Sequence, residues 1–442
     1  MARKKDIING IAVRGFKSIG DEQRIEIAPL TILAGANSSG KSSIMQPLLL
    51  LKQTLEAPGD PGALLLDGPN ARFTSASQLT CKGRTAGEGD GCTVRLEKTS
   101  GRSLEISYDL SAGRGIDVKR MAYASPGQRL EMFRNMSQDA IIAALPKELV
   151  KFVDQIRKKD KPQTTWHVVR DRCFLTFSPG SEESGGRGME FWPIGAFSPS
   201  MEFVRDIQSV IHLPGLRGNP RRNYQKTAVG PHFSGTFELY TASLISKWQA
   251  EKDNRLDQLG HDLEDLGLTW KVFAADVEDT QVELKVGRLP HAKRGGAHDL
   301  VSIADVGFGV SQSLPVLVAL LAAQAGQLLY IEQPEIHLHP RAQRRMAHLL
   351  CQSAKRGLLL VVETHSALLI REIQTMVAKG QMSKDDVRLH WVQRNKDGET
   401  VIETASLDET GAYGDWPQDF DSTELEAEQA YLDAVEAKGA GQ

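Results

Sequence analysis

Four short runs carry residues whose types and spacing could do chemistry. The first is GANSSGKSS, Gly35 to Ser43, which satisfies G-x-x-x-x-G-K-[ST] between an apolar strand pattern and a helical run. Successive backbone N–H groups ahead of a helix N-terminus form an anion cradle. Gly35, Asn37, Ser38, Ser39, Gly40 and Ser43 would shape it, Lys41 would bring charge to terminal phosphates, and the Ser42 hydroxyl would ligate Mg²⁺. The second run, DVGFGVSQSLPVL from Asp305, sets Gly307 and Gly309 just before a helix that contains Ser311. A glycine-bounded helix start of this kind is again suited to face phosphate.

The third run is LLYIEQPEIHLHP, Leu328 to Pro340. Four apolar residues lead into Glu332, whose carboxylate is expected to hold Mg²⁺ through water. The fourth, LLLVVETHS, ends a second buried strand on Glu363, Thr364 and His365, where a polar side chain can reach a γ-phosphate. Glu332, Glu335, His337 and His339 have ligand types that also suit a transition metal. Strand alternation and Pro340 favour a plain turn into the next helix instead.

The elements that must position these runs follow from apolar periodicity. Short strand patterns at IINGIAVRGF, QRIEI and LTILAG precede a helix over 41–56, and period-2 runs between Cys92 and Met121 predict an antiparallel sheet beside them. One amphipathic helix is expected over 139–161, ending in RKKDK, followed by a polar loop, PGSEESGGRG, near 179–188. Helices are expected over 233–251 and 256–266, then strands at TWKVFAADV and QVELKVGR. From there helix and strand alternate strictly: 310–323, 327–332, 341–354, 358–363, 366–378, 387–392. Near-continuous apolar strands in that alternation mean a parallel sheet covered on both faces.

Composition excludes several classes. The chain has 442 residues, 25% charged and 40% hydrophobic, with a formal net charge of -3. That is an ordinary globular composition with room for two or three domains and no uniformly basic surface. Four cysteines show no CxxC pairing and suit a reducing compartment. MARKKDIING lacks the apolar stretch of a secretory signal, and Gln324, Gly326 and Gln327 break the longest apolar region, so a cytoplasmic location is expected. GLRGNPRRNY carries Arg217, Arg221, Arg222 and Tyr224, which could grip phosphates or form ion pairs with equal weight; RAQRR, from Arg341, is similarly ambiguous.

With GANSSGKSS, HLPGLRGNPRRNY, DVGFGVSQ, IEQPEIHLHP, ETHS and YGDWP in this order, the chain resembles the ABC-type ATPase heads of the SMC, RecF and OLD families. It resembles more closely the bacterial AAA-labelled ATPases that end in a short domain of unassigned function. The resemblance implies an α/β ABC-type P-loop head that binds ATP and Mg²⁺. Gly35, Gly40, Lys41 and Ser42 would be its P-loop, Gly307, Gly309 and Ser311 its signature, Glu332 its Walker B acid, and His365 its switch histidine. Gln78 would be a metal-contacting glutamine. One subunit's signature would complete another's ATP site, giving a homodimer or higher even oligomer. Several such ATPases serve two-gene anti-phage systems beside a nuclease. No glutamate-then-DxD pattern follows the histidine strand here, so an HNH or TOPRIM nuclease would be a separate chain; DNA contact by the dimer stays open.

In the ABC arrangement the residue after the Walker B acid is glutamate; this chain has Gln333. An amide can orient water but cannot take its proton, and general-base catalysis contributes roughly 10²–10⁴ in rate. Either Glu335 swings in as base, or hydrolysis is slow and the ATP-bound dimer persists; slow turnover is the expectation. The domains expected are an N-terminal lobe over 1–130, a mainly helical insertion or lid over 131–268, a C-terminal lobe over 269–406 and an acidic segment over 407–442.

Overall fold

A computed structural model describes residues 6–81, 91–110, 115–156, 165–181, 190–191, 196–289, 291 and 299–414. RKKDK, most of PGSEESGGRG and the residues after 414 lie outside that range.

The centre is a six-stranded sheet in the order Ile211–Leu213, Leu328–Glu332, Leu359–Thr364, Leu30–Ala34, Val387–Arg394, Thr400–Ala405. The first five run parallel and the last is antiparallel. Side chains along each strand alternate between two cores. Leu329 and Ile331 join Leu360, Val362, Leu30 and Ile32 on one face. Leu328 and Tyr330 join Leu359, Val361 and Leu33 on the other. Both faces are buried, which is why these strands read as unbroken apolar runs rather than alternating ones. The expected parallel sheet is therefore present, and the strand before GANSSGKSS sits inside it, next to the histidine strand, so the expected N- and C-terminal lobes share one sheet.

Helices Lys41–Glu56, Phe308–Ala322, Pro340–Lys355 and Ala367–Ala378 follow the chemistry-bearing runs. Pro340 occupies the first turn of its helix, where a missing N–H costs nothing, and the Ser366 hydroxyl accepts the Leu369 N–H at 3.0 Å to start the last one. The expected antiparallel sheet is also present: Gln23–Glu26, Ile8–Arg14, Gly91–Lys98, Ser103–Asp109, Asp117–Ser125, Gln128–Met132 in that order.

The region 131–268 differs from the mainly helical expectation. The single helix over 139–161 is two, Gln138–Ala144 and Lys147–Ile156, because Pro146 between them cannot continue the first. Thr165–Asp171, Phe174–Ser181 and Glu190–Phe191 form a three-stranded sheet, and Ile211–Leu213 is an edge of the central one. Residues 233–236 are not helical; a 3₁₀ turn, Phe237–Tyr240, leads into helix Thr241–Glu251. In the described part of the acidic segment, 407–414, Leu407 and Tyr413 are buried in the main core. Among the described residues no helix is long and apolar enough to cross a membrane.

Candidate functional site

The loop 35–40 is a turn that only glycine can make at its two ends. Gly35 has φ 146° and a Cβ there would lie 2.0 Å from the Val392 carbonyl oxygen; Gly40 has φ 103° and a Cβ would lie 2.2 Å from Thr400 Oγ1. Both obstacles belong to the C-terminal hairpin, which also grips the loop by its carbonyls. Arg394 Nε donates to Ser38 O at 2.8 Å, Thr400 Oγ1 donates to Ser39 O at 2.8 Å, and Ser18 Oγ lies 2.7 Å from Thr400 Oγ1.

The loop walls a cavity of about 850 Å³. Asn37, Ser38, Gly40, Lys41, Ser42 and Ser43 line it, and Gln78, Gln333, Glu363 and His365 face it from other elements. Lys17 and Arg394 line it as well. Their sequence context offered no signal except that GFKS and VQR end strands beside the loop. Lys41 is 4% exposed, and its Nζ donates to Gly35 O at 3.0 Å and Ala36 O at 2.7 Å. Burial lowers its pKa, against the pull of Glu363 and Glu335.

The carboxylate beside Ser42 is Glu363. Ser42 Oγ donates to Glu363 Oε1 and Oε2 at 3.1 and 2.9 Å, and the buried Tyr330 hydroxyl donates to Oε2 at 2.7 Å. Burial raises the Glu363 pKa, with the neighbouring Glu332 adding to it. Glu332, expected in this role, stands opposite Glu363 in the adjacent strand. Its own carboxylate turns elsewhere, 3.1 Å from His212 Nε2 and accepting the Gly215 N–H at 3.0 Å. Burial works to raise Glu332, but the His212 contact and the Gly215 N–H bring it below the usual carboxylate range. Residues 42 and 363 are hard oxygen donors, and Mg²⁺ is commonly held by one or two such groups together with phosphate oxygens. Ser42 and Glu363 thus fit a Mg²⁺ ion bound to a phosphate in the cradle, whereas Glu332 does not line the cavity.

Gln333 closes the strand end with φ 45°, its N–H donating to Glu363 O at 2.7 Å. It lines both the main cavity and an adjoining one of about 630 Å³. Glu335 is 8% exposed on that second cavity. Its Oε1 accepts Thr364 Oγ1 at 2.6 Å and the His365 N–H at 3.1 Å. Burial raises its pKa. Burial and the neighbouring Lys41 lower the His365 pKa, against a hydrogen bond to Gly35 that raises it. Glu332 and Glu335 are therefore held by different partners rather than gathered with His337 and His339. Gln78 reaches the cavity wall, though its amide is tied to Thr74 on both sides, at 2.9 and 3.1 Å.

The second expected phosphate site lies apart. Gly307 caps the helix as expected, but Gly307, Gly309 and Ser311 do not line the main cavity, and Ser311 Oγ donates to Phe308 O at 3.1 Å. Of the arginines in the 217–224 loop, Arg217 is buried and bonded to the Gln312 and Glu332 carbonyls, and Arg222 pairs with Asp305. In RAQRR, Arg344 pairs with Glu372.

Residues 203–371 match the family described as "AAA domain, putative AbiEii toxin, Type IV TA system". The match is less than half the chain; it starts after the glycine-rich loop and includes Glu332, Gln333, Glu335 and His365. No curated protein matches the chain. Solved structures that resemble it include an Smc head bound to the C-winged helix domain of ScpA, at 14% identity over 91% of this chain and 98% of that one, with a TM-score of 0.47. The SMC head domain from Thermotoga maritima has 11% identity over 91% and 100%, with a TM-score of 0.37. An Smc head with an extended coiled coil, bound to the C-terminal domain of ScpA derived from Pyrococcus furiosus, has 12% identity over 98% and 100%, with a TM-score of 0.43. Likeness at these values bears on neither activity nor partners. Over residues 203–371 the chain carries an AAA-family domain.

Proposed function

We propose that this chain is a Mg²⁺-dependent ATP-binding protein that hydrolyses ATP slowly. The observation that carries the reading is the Lys41–Ser42–Glu363 arrangement at a glycine-bounded loop: a cation for terminal phosphates and two oxygen donors for the ion that neutralises them. ATP would lie along residues 37–43, with Mg²⁺ between Ser42 and Glu363. Phosphoryl transfer depends mostly on positioning and charge stabilisation, so Lys41 and the loop N–H groups would do most of the work. The Gln333 amide can orient a water. It cannot accept its proton, and Glu335 would have to give up the Thr364 and His365 hydrogen bonds to swing in.

Gly307, Gly309 and Ser311 lie away from the cavity of their own chain, which is consistent with the dimer the resemblance implies, in which they would close a second copy's ATP site. A long-lived ATP state suits control of a partner nuclease in anti-phage defence, and the toxin–antitoxin description of the matching family fits a two-component system. A non-hydrolysing, ATP-locked scaffold is the second reading, favoured by Gln333 itself. A repair ATPase acting directly on DNA draws nothing from the buried Arg217, which bonds within the chain, and would have to rely on the exposed Arg221 and Arg222.

Steady-state phosphate release from the wild type, Lys41→Ala and Gln333→Glu separates these. Slow release that Gln333→Glu accelerates by roughly tenfold or more, out of the 10²–10⁴ a general base can supply, supports the slow ATPase. Release no faster than Lys41→Ala identifies the scaffold. Fast wild-type release that Gln333→Glu leaves unchanged overturns both.

A further inference from the structure

Helix Pro340–Lys355 carries the RAQRR run, and its outer side is cationic from end to end. Arg341, Arg345, His348, Gln352 and Lys355 follow at steps of four and three, which sets them in one stripe along the helix, with Arg344 beside it. The arginines, Gln352 and Lys355 are exposed and His348 is half-buried. No Asp or Glu occurs in this helix. The neighbouring helix Ala367–Ala378 adds exposed Arg371, and Lys379 follows it. The one acid in the two helices, Glu372, is 5% exposed and already taken, by Arg344 Nε at 2.5 Å and His348 Nε2 at 2.8 Å. Cations at the start of a helix oppose its dipole, so three arginines in the first two turns carry a cost that an anion laid over them would offset.

The chain supplies such an anion at the edge of this layer. Gly411 has φ 77°, and a Cβ there would lie 2.4 Å from the Gln374 carbonyl oxygen, so the turn 408–411 presses directly on helix Ala367–Ala378. Tyr413, 5% exposed, lies within electrostatic reach of Cys351 on helix Pro340–Lys355. The segment that follows, 415–442, holds eight Asp and Glu residues against one lysine, Lys438. It leaves from the two helices that carry the cations, and at about 3.3–3.6 Å per extended residue a fraction of it spans a stripe of about 20 Å. We propose that the acidic segment 415–442 docks along the Arg341–Arg345–Lys355 face of its own chain. Tethering holds its carboxylates at about millimolar local concentration. Several exposed ion pairs act together there, each weak alone and all screened by salt. Pro340 and Gln343, at the start of the same helix, line the cavity that adjoins the phosphate loop. Docking therefore screens that flank from other polyanions, and the inference stands whether or not the loop holds ATP.

The test is limited digestion of the full chain by a glutamate-specific protease, comparing the wild type with Arg341→Glu/Arg345→Glu. Both positions are exposed, and an unchanged melting temperature confirms that the variant folds. Cleavage of a docked segment follows the population that is released. Cutting after Glu424, Glu426 and Glu428 is expected to be roughly tenfold faster in the variant, as attractions turn into repulsions. Raising salt from about 0.02 M to about 0.5 M should bring the wild type to the same rate and leave the variant unchanged. A water-soluble carbodiimide should join Lys355 to carboxylates of 415–442 in the wild type and not in the variant. Equal cutting of the two proteins, or no such link, overturns the proposal. So does protection that fades on dilution, which assigns the face to a second copy's segment. Binding of a duplex DNA probe that the variant loses, with its cleavage rate still that of the wild type, gives the face to nucleic acid and overturns it as well.

Discussion

Glu332 and Glu363 end neighbouring parallel strands at the same register, yet they have opposite electrostatic fates. Glu363 sits over Ser42 and Tyr330, with burial pushing its carboxyl up. Glu332 meets His212 and the Gly215 N–H, which outweigh burial and hold its carboxyl down. What differs is the neighbour. The Glu363 strand lies next to the strand that leads into the phosphate loop, whereas the Glu332 strand lies next to the short edge strand Ile211–Leu213. In this chain the strand adjoining the loop places its carboxylate on Ser42, and the carboxylate one strand further out is held by His212 and Gly215 instead. The acid nearest the cradle follows from strand order, not from which run looks most acidic.

The largest effect that breaks this comparison is loss of the shared phosphate cation. Lys41→Ala should weaken ATP binding by about 2–5 kcal/mol, roughly 30- to 4,000-fold, measured by equilibrium titration with a fluorescent ATP analogue. Next, Glu363→Gln should raise the Mg²⁺ concentration needed for that binding by about tenfold or more, whereas Glu332→Gln should shift it far less. If the two variants shift it equally, or Glu332→Gln shifts it more, the assignment of the ion to Ser42 and Glu363 fails.

A smaller effect sharpens the same contrast through pH. The Glu332 carboxyl is lowered in the folded chain, so its stabilisation is present above the unfolded value and is lost as pH falls through the folded one. Glu332→Gln should therefore lower stability by about 1–3 kcal/mol near pH 7, and the deficit should shrink on acidification. Glu363 is raised, so its ionised form costs stability above the folded value, and the cost vanishes as pH falls towards the ordinary 4.5. Without ligand, Glu363→Gln should raise the melting temperature at neutral pH, and the gain should disappear in acid. Melting curves from pH 4 to 8 on both variants would show opposite signs, or refute the contrast.

The glycine-rich loop, the helix and strand alternation, and the apolar strands buried on both faces were all legible along the chain. Those features are written in local spacing: a cradle needs glycine at two fixed positions, and a doubly covered strand needs an unbroken apolar run. The break at Pro146 was missed although a proline disfavours a continuing helix, and the signal is not decisive, since Pro47 and Pro315 lie inside helices that continue through them. Which distant residues meet is not written in local spacing. Ser42 and Glu363 are 321 residues apart in the chain, and Ser18 and Thr400 are 382 apart. Such pairs depend on the order of strands in the sheet, and so did the removal of Glu332 to His212, the grip of Arg394 and Thr400 on the loop, and the burial of Tyr413. Spacing along the chain carries no information about strand order, because each parallel strand returns through a helix and can insert between any two others.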